Sequence, residues 1–173
     1  MVAAGIFGES AAIEDLAPEE WRRVMSVNVD SVQSLFGNIG SLLALSPVGG
    51  RVVAIGSKNV PAPGKGAAAY SASKAALQQL CRIAALEWAP NKIRVNLVHP
   101  DAVFDTGLWS EELIAERASN YGISPEEYKK RNLLSVEVTS KAVARSAISL
   151  CTDNFSTTTG ASVPTDGGSD RVI

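Results

Sequence analysis

"GGRVVAIGSKNVPAPGKGAAAYSASKAALQQLCRIAALEWAPNKIRVNLVHP", residues 49–100, holds two short apolar runs separated by one long alanine-rich segment. The first run, "GGRVVAIGS", is rich in β-branched residues and bounded by glycine, as a strand covered on both faces requires. The second, "KIRVNLVHP", reads as another buried strand and ends at a proline. Between them the composition predicts a helix from about Tyr70 to Trp88, stopped by Pro90. Strand, helix and strand in that order make the crossover unit of a parallel sheet.

The same alternation extends outward. Residues 1 to 5 read as the tail of a buried strand running into a glycine turn. "APEEWRRVMSVNVDSVQSLFGNIGSLLALS" predicts a long helix from about 18 to 45, with Val32, Leu35, Phe36, Ile39, Leu42 and Leu43 on one stripe. From Asp101 to Glu137 the periodicity weakens while Trp109, Tyr121 and Tyr128 appear, which predicts one or two short helices in a long excursion. Such excursions often form lids or substrate loops, although aromatic residues spaced in this way also pack small local cores. "TSKAVARSAISLC" predicts a helix capped near Thr139 or Ser140, and "GASVPTDGG" a last short strand. The fold class is α/β: a doubly wound parallel sheet with helices on both faces.

Composition narrows the function. The chain has 173 residues, 46% of them hydrophobic and 20% charged, enough for one globular domain with a real core. A net charge of -2, with Lys129, Lys130 and Arg131 the only short basic run, gives no field to gather a nucleic acid backbone. That run reads as a solvated face. No apolar run approaches the roughly 18 residues of a membrane span, and the start "MVAAGIFGESAAIED" turns acidic too soon for a signal peptide. Cys81 and Cys151 lie far apart in apolar helical contexts, which favours two buried thiols in a reducing, cytoplasmic setting. With His99 the single histidine and no paired cysteine motif, a protein-ligated metal site has almost no ligands to draw on.

Chemistry concentrates within residues 57 to 74. Tyr70 and Lys74 are four apart, so a helix projects both from one face. An ammonium held near a phenol stabilises the phenolate and lowers its pKa, which makes such a tyrosine a general acid or base. Ser57 ends the preceding strand, and parallel sheets place their ligands at the carboxyl ends of strands. Gly64, Gly66, Ala67, Ala68 and Ala69 leave room for a ligand against the backbone between serine and tyrosine. Each feature alone is commonplace: a Tyr-x-x-x-Lys pair is usually a ring beside a solvated amine, and a serine at a strand end usually shapes a turn. Their order, spacing and predicted elements together specify a reaction centre. His99 reads as a hydrogen-bonded residue shaping a strand end in preference to an acid or base. Lys58 and Asn59 are candidate contacts to a polyol or carboxylate, or solvated loop residues. "PGKG" is no phosphate loop, since Asn59 stands at the leading glycine position and Gly66 follows the lysine.

These residues resemble the short-chain dehydrogenase/reductase superfamily along the whole chain: Asn28 in "SVNVD", Ser57 in "AIGS", Tyr70 and Lys74 in "YSASK", then "IRVNLVHP", Thr106 in "FDTG" and "DGG" at Asp166 to Gly168. The resemblance implies an oxidoreductase with NAD or NADP as cofactor. In it Tyr70 exchanges a proton with the substrate oxygen and Ser57 orients that oxygen. Lys74 depresses the tyrosine pKa and binds the nicotinamide ribose, and Asn28 holds a water in a proton relay. It also implies cofactor contacts at Pro100, Val103 and Thr106, while Trp109, Tyr121 and Tyr128 are candidates either to line a substrate lid or to pack a small local core. "SKNVPAPGKGAAAYSASKAAL", "HPDAVFDTGLW", "RASNYGISPEEYKKRNLL" and "TTTGASVPTDGGSDRVI" further look like the dehydrogenase half of bifunctional rhamnulose-1-phosphate aldolase/alcohol dehydrogenases. In that group an aldolase domain precedes the dehydrogenase, and lactaldehyde is a natural substrate.

The family's glycine-rich turn, G-x-x-x-G-x-G, is absent from these residues, so the chain is expected to be the C-terminal part of one domain of this type, lacking the adenosine-side site. Ala3-Ala4-Gly5 stands where the family has Asn-Ala-Gly, and Asp101 where it commonly has glycine. The family also implies homo-oligomers, with Val32, Leu35, Ile39, Leu80 and Ile83 partly between subunits. Two other readings remain open at this point: a noncatalytic fragment or oligomerisation remnant, and an epimerase or dehydratase with the same tyrosine and lysine.

Overall fold

A computed structural model describes residues 1–169. β1 (Arg51–Ile55), β2 (Arg94–Pro100) and β3 (Ser162–Thr165) form a parallel sheet in that order, with Arg51 opposite Arg94 and Leu97 opposite Ser162. The open edge of β1 is extended by Val2, whose N–H donates to Val53 O (2.8 Å) and whose carbonyl accepts from Ile55 N (2.9 Å). The expected N-terminal strand is therefore a short paired stub. Turning into β1 requires Gly49, at φ 77°, because a Cβ there would lie 2.0 Å from the carbonyl oxygen of Lys92.

Alternation along the strands builds a core on each face. Val52, Ala54, Val95 and Leu97 pack with Val32, Phe36, Leu77 and Cys81 on one side. Val53 and Val98 pack with Val138, Val143, Ala147 and Leu150 on the other. β2, in the middle, is buried along its whole length, which is why its sequence is an apolar run and not an alternating one.

The long predicted helix is present as α1 (Pro18–Met25) and α2 (Ser31–Ala44), joined by a π-helical turn at Ser26–Asp30. Val24, Asn28, Val32 and Phe36 all point inward. A spacing of four drifts around an ordinary α-helix, and the wider π turn absorbs the drift. Leu35 and Leu42 are exposed and leave the predicted stripe, while Val32 is sealed within its own chain. The intersubunit expectation is corrected at Val32 for that reason.

α3 (Ala68–Trp88) begins two residues earlier than predicted and lays Ala69, Ser73, Lys74, Leu77, Cys81, Ala84 and Ala85 against the sheet and α1. Its small residues permit that close approach. The excursion carries α4 (Glu111–Asn120) and α5 (Pro125–Lys129), the latter started by a Ser124–Glu127 capping box. α6 (Ser140–Cys151) starts at Thr139, whose hydroxyl accepts from Ala142 N at 3.2 Å. Cys81 is buried, but Cys151 is exposed on the last turn of α6, so only one of the two thiols is buried as expected.

The excursion is tied back to the end of the sheet. Leu133 and Leu134 donate their backbone N–H groups to Gly168 O (2.9 Å) and Gly167 O (3.0 Å). Gly167 has φ 69°, and a Cβ there would sit 2.4 Å from Asn132 Oδ1. The end of the quoted "TTTGASVPTDGGSDRVI", residues 170–173, lies outside the described residues.

Candidate active site

Gly56 follows β1 and keeps the strand register by donating to Val98 O at 2.8 Å. Its missing side chain is required, since a Cβ would meet His99 Nε2 at 2.8 Å. Ser57 comes next and is buried. Its hydroxyl accepts from Asn59 N at 3.1 Å and stands in hydrogen-bonding reach of the Tyr70 phenol. One helical turn beyond Tyr70, Lys74 is only 4% exposed. Its ammonium donates to Ile55 O at 3.0 Å and lies 5.7 Å from the centre of the Tyr70 ring. Serine, tyrosine and lysine thus converge above the carboxyl end of β1, as the sequence spacing required.

The electrostatics correct one expectation. Burial raises the Tyr70 pKa, and the hydrogen bond to Ser57 offsets only part of that rise. The phenol therefore stays above its ordinary value with the Lys74 ammonium 5.7 Å from its ring centre. Lys74 itself is lowered from 10.5 to about 8 by loss of water. Cys81 is pushed up to about 12 by burial, so it is an inert thiol two helical turns along α3 from the lysine.

Asn28 occupies the π turn and is completely buried. Its Oδ1 accepts from Ile6 N (2.8 Å), and its Nδ2 donates to Ile6 O (2.9 Å) and Ser73 Oγ (2.9 Å). Ser73 in turn donates to Tyr70 O at 2.7 Å. Both amide hydrogens have protein acceptors, so the side chain braces the N-terminal segment against α3, and a water held at Asn28 would donate to one of its oxygens. It also supplies a tie between the N-terminal segment and the core where Ala3 stands in place of asparagine. Gly5 makes the packing possible: a Cβ there would lie 3.2 Å from Lys74 Nζ and 3.3 Å from Asn28 Oδ1.

Three residues beside the site were not singled out from sequence. Phe7 packs its ring on Tyr70 at 4.8 Å, from a segment 63 residues upstream that only the fold brings close. Ser73 was hidden as a small residue in an alanine helix. Asp105 accepts from Ser140 N (2.8 Å) and Ser140 Oγ (2.7 Å) at the first turn of α6, anchoring the loop that carries the expected cofactor contacts.

Those expected contacts lie together. Pro100 ends β2, Val103 packs against the second core, and Thr106 donates its hydroxyl to Val103 O at 2.8 Å. Lys58 is not a free substrate contact: its ammonium is ion-paired with Asp101, and its N–H donates to Pro100 O at 3.0 Å. Asn59 shapes the loop, accepting from Gly64 N at 3.1 Å. Trp109 belongs to an aromatic cluster with Phe104 (4.8 Å) and Tyr128 (6.5 Å). His99 is buried, bonded to the Ser57 backbone and held below its ordinary pKa by desolvation, which agrees with a structural histidine. The small residues at 64 to 69 do border a cleft of about 370 Å³, but its walls are Ala11 to Ile13, Pro63 to Gly66, Ala68 and Ser71, so it lies beside the serine–tyrosine gap and not in it. Gly66, at φ 74°, instead admits Ser10 and the bridge between Ala11 and Ala67.

A parallel α/β sheet with a buried serine, a buried lysine and a half-buried tyrosine at its carboxyl edge defines a dehydrogenase-like site, and comparison with known proteins gives the family. The family model described as Enoyl-(Acyl carrier protein) reductase matches residues 1–170. A short chain dehydrogenase family protein from Francisella tularensis subsp. tularensis SCHU S4 superposes with a TM-score of 0.80 at 32% identity, covering 95% of this chain and 67% of that one. The chain belongs to the short-chain dehydrogenase/reductase superfamily. It is 31% identical over 171 residues to 2,3-dihydro-2,3-dihydroxybenzoate dehydrogenase of Escherichia coli (strain K12), covering 96% of this chain and 67% of the relative. It is 39% identical over 125 residues to the uncharacterized oxidoreductase YuxG of Bacillus subtilis (strain 168), a match to 69% of this chain but 18% of that protein. The chain therefore spans less than a fifth of one relative and about two thirds of another. Among the described residues no helix is long and apolar enough to cross a membrane.

Proposed function

We propose that this chain carries the catalytic part of an NAD- or NADP-dependent alcohol dehydrogenase that interconverts a small hydroxyaldehyde or sugar-derived alcohol with its carbonyl partner, lactaldehyde being the leading candidate. The observation that carries the reading is the convergence of Ser57, Tyr70 and Lys74. Burial that raises Tyr70 keeps its phenol protonated at neutral pH, ready to donate to a carbonyl oxygen. Ser57, with its hydroxyl turned to the same place, donates to that oxygen as charge develops on it. Lys74 supplies fixed positive charge beneath the ring, and Phe7 limits the ring's movement.

The residues present fit the nicotinamide end of the cofactor. Among the described residues the buried Lys74 ammonium has one protein acceptor, the Ile55 carbonyl, leaving donors for ribose hydroxyls, and Pro100, Val103 and Thr106 stand together at the end of β2. When bound, the nicotinamide supplies or accepts the hydride at the carbinol carbon. No glycine-rich phosphate turn lies within these residues, so the adenosine end calls for sequence outside them. This supports reading residues 1–173 as the C-terminal part of a single domain.

A match to 18% of a much longer oxidoreductase supports a parent protein with a further domain, such as an aldolase domain. Exposed Leu35 on α2, and Ile83 lining a groove between α2 and α3, support a homo-oligomer. The exposed free thiol of Cys151 fits a reducing, cytoplasmic setting. The test is to follow reduced nicotinamide absorbance with the full-length protein, NAD and NADP, and a panel of small alcohols and aldehydes. Turnover of hydroxyaldehydes supports the reading, and no turnover of any panel member with either cofactor would overturn it.

A further inference from the structure

We propose that Asp101 is a specificity-determining residue: by holding the ammonium of Lys58, it makes the site favour neutral polyols and hydroxyaldehydes over substrates that bear a carboxylate or phosphate. The inference rests on the oxidoreductase reading of the site and goes further by assigning the charge class of its substrate. Lys58 directly follows Ser57, so its flexible four-carbon stem starts at the edge of the reaction centre. Its ammonium is ion-paired with Asp101 across the loops that leave β1 and β2, with side-chain exposures of 18% and 22%. The same two loops are joined by the Lys58 N–H to Pro100 O bond of 3.0 Å. The other Asp101 oxygen accepts from Ala102 N at 2.7 Å, so the carboxylate is fixed from both ends.

The remaining charges around the pair do not replace Lys58 as an anion receptor. His99 is buried and held neutral by desolvation. Lys74 is buried beneath Tyr70 and turned to the Ile55 carbonyl. From the excursion, Tyr128 is close enough to feel the charges of Asp101, Arg117 and Arg131. Arg131 lies flat on the Tyr121 ring at 3.9 Å and is exposed, so solvent and salt screen it. Lys58 directly follows Ser57, its side chain is only 18% exposed, and Asp101 neutralises its ammonium. Removing the carboxylate charge without changing its shape frees the ammonium.

The test compares glyceraldehyde with glyceraldehyde 3-phosphate, which share a reacting carbonyl, in the full-length protein. Wild type should favour the neutral compound in kcat/KM. Asp101→Asn should shift that ratio towards the phosphorylated one by about tenfold, the scale of one partly buried charge pair. The double variant Lys58→Met/Asp101→Asn, which has no ammonium to free, should return the ratio to the wild-type value. An unchanged ratio in Asp101→Asn, or a shift that persists in the double variant, overturns the assignment. Ligand-observed NMR of glyceraldehyde 3-phosphate gives a readout independent of turnover: binding in Asp101→Asn alone supports the assignment, and equal binding in all three proteins overturns it. Absence of turnover in wild type with that binding pattern intact would remove the oxidoreductase reading and leave the role of Asp101 standing.

Discussion

Replacing Lys74 by methionine is expected to stabilise the protein while abolishing its activity. Burial lowers the Lys74 pKa from 10.5 to about 8. At about 1.4 kcal/mol per pH unit, holding the charged amine in the fold costs about 3 kcal/mol relative to the unfolded chain. The bond from its ammonium to Ile55 O, 3.0 Å long, goes with the lysine. Leaving that carbonyl unpaired costs about 1–2 kcal/mol. Methionine fills the channel of the lysine stem with little change in volume. The net gain at pH 7 is therefore about 1–2 kcal/mol. Because the folded-state pKa lies below the unfolded one, the cost is fully present below about pH 8, where the amine is charged in both states. It fades between about 8 and 10.5, as the folded protein sheds its proton first. The advantage of the variant should shrink across that window and reverse towards its upper end, where only the cost of the unpaired carbonyl remains. Urea unfolding of wild type and Lys74→Met at pH 7 and pH 10 measures the difference directly. A variant less stable than wild type at pH 7, or a stability difference independent of pH, would refute the reasoning.

Gly5→Ala should push on Lys74 and Asn28 together, since the added methyl meets them at 3.2 and 3.3 Å. Because misplacement of catalytic groups by fractions of an ångström is costly, kcat should fall roughly 10- to 100-fold with a stability loss of only about 1–2 kcal/mol; steady-state kinetics beside thermal melts check both. Gly167→Ala combines φ 69° with a 2.4 Å clash against Asn132 and should cost about 2–3 kcal/mol. Its local signature is faster hydrogen exchange at the Leu133 and Leu134 amides. Asn28→Ala removes three hydrogen bonds that join Ile6 to α3 and should destabilise by about 2–4 kcal/mol, measured by denaturant unfolding.

What the sequence made legible is what short-range pattern controls. The run "GGRVVAIGS", the alanine-rich helix and "KIRVNLVHP" each announce their element, and their order leaves few topologies. Ser57, Tyr70 and Lys74 could be placed together because one strand end and one helical turn fix them. The π turn at Ser26–Asp30 was not legible, since a fourfold spacing of inward residues shows only after the partners of Asn28 are known. Phe7 was missed because its contact with Tyr70 is long-range. Lys58 and Asp101 were each weighed alone, and their pairing depends on two loops meeting beyond adjacent strands. The direction of the Tyr70 shift depends on how much burial outweighs charge, a balance of distances that residue types do not carry. Cys151 looked buried from its apolar neighbours, yet the last turn of α6 faces it outward.

The measurement that bears most directly on the central claim is Tyr70→Phe in the full-length protein, with NADH binding followed by nicotinamide fluorescence and turnover followed with lactaldehyde. Loss of the phenolic hydroxyl should lower kcat by about 10²- to 10⁴-fold while NADH affinity stays within a few fold of wild type. Near-normal turnover in the variant would contradict the assignment of Tyr70 as the proton donor, and with it the reading of the site.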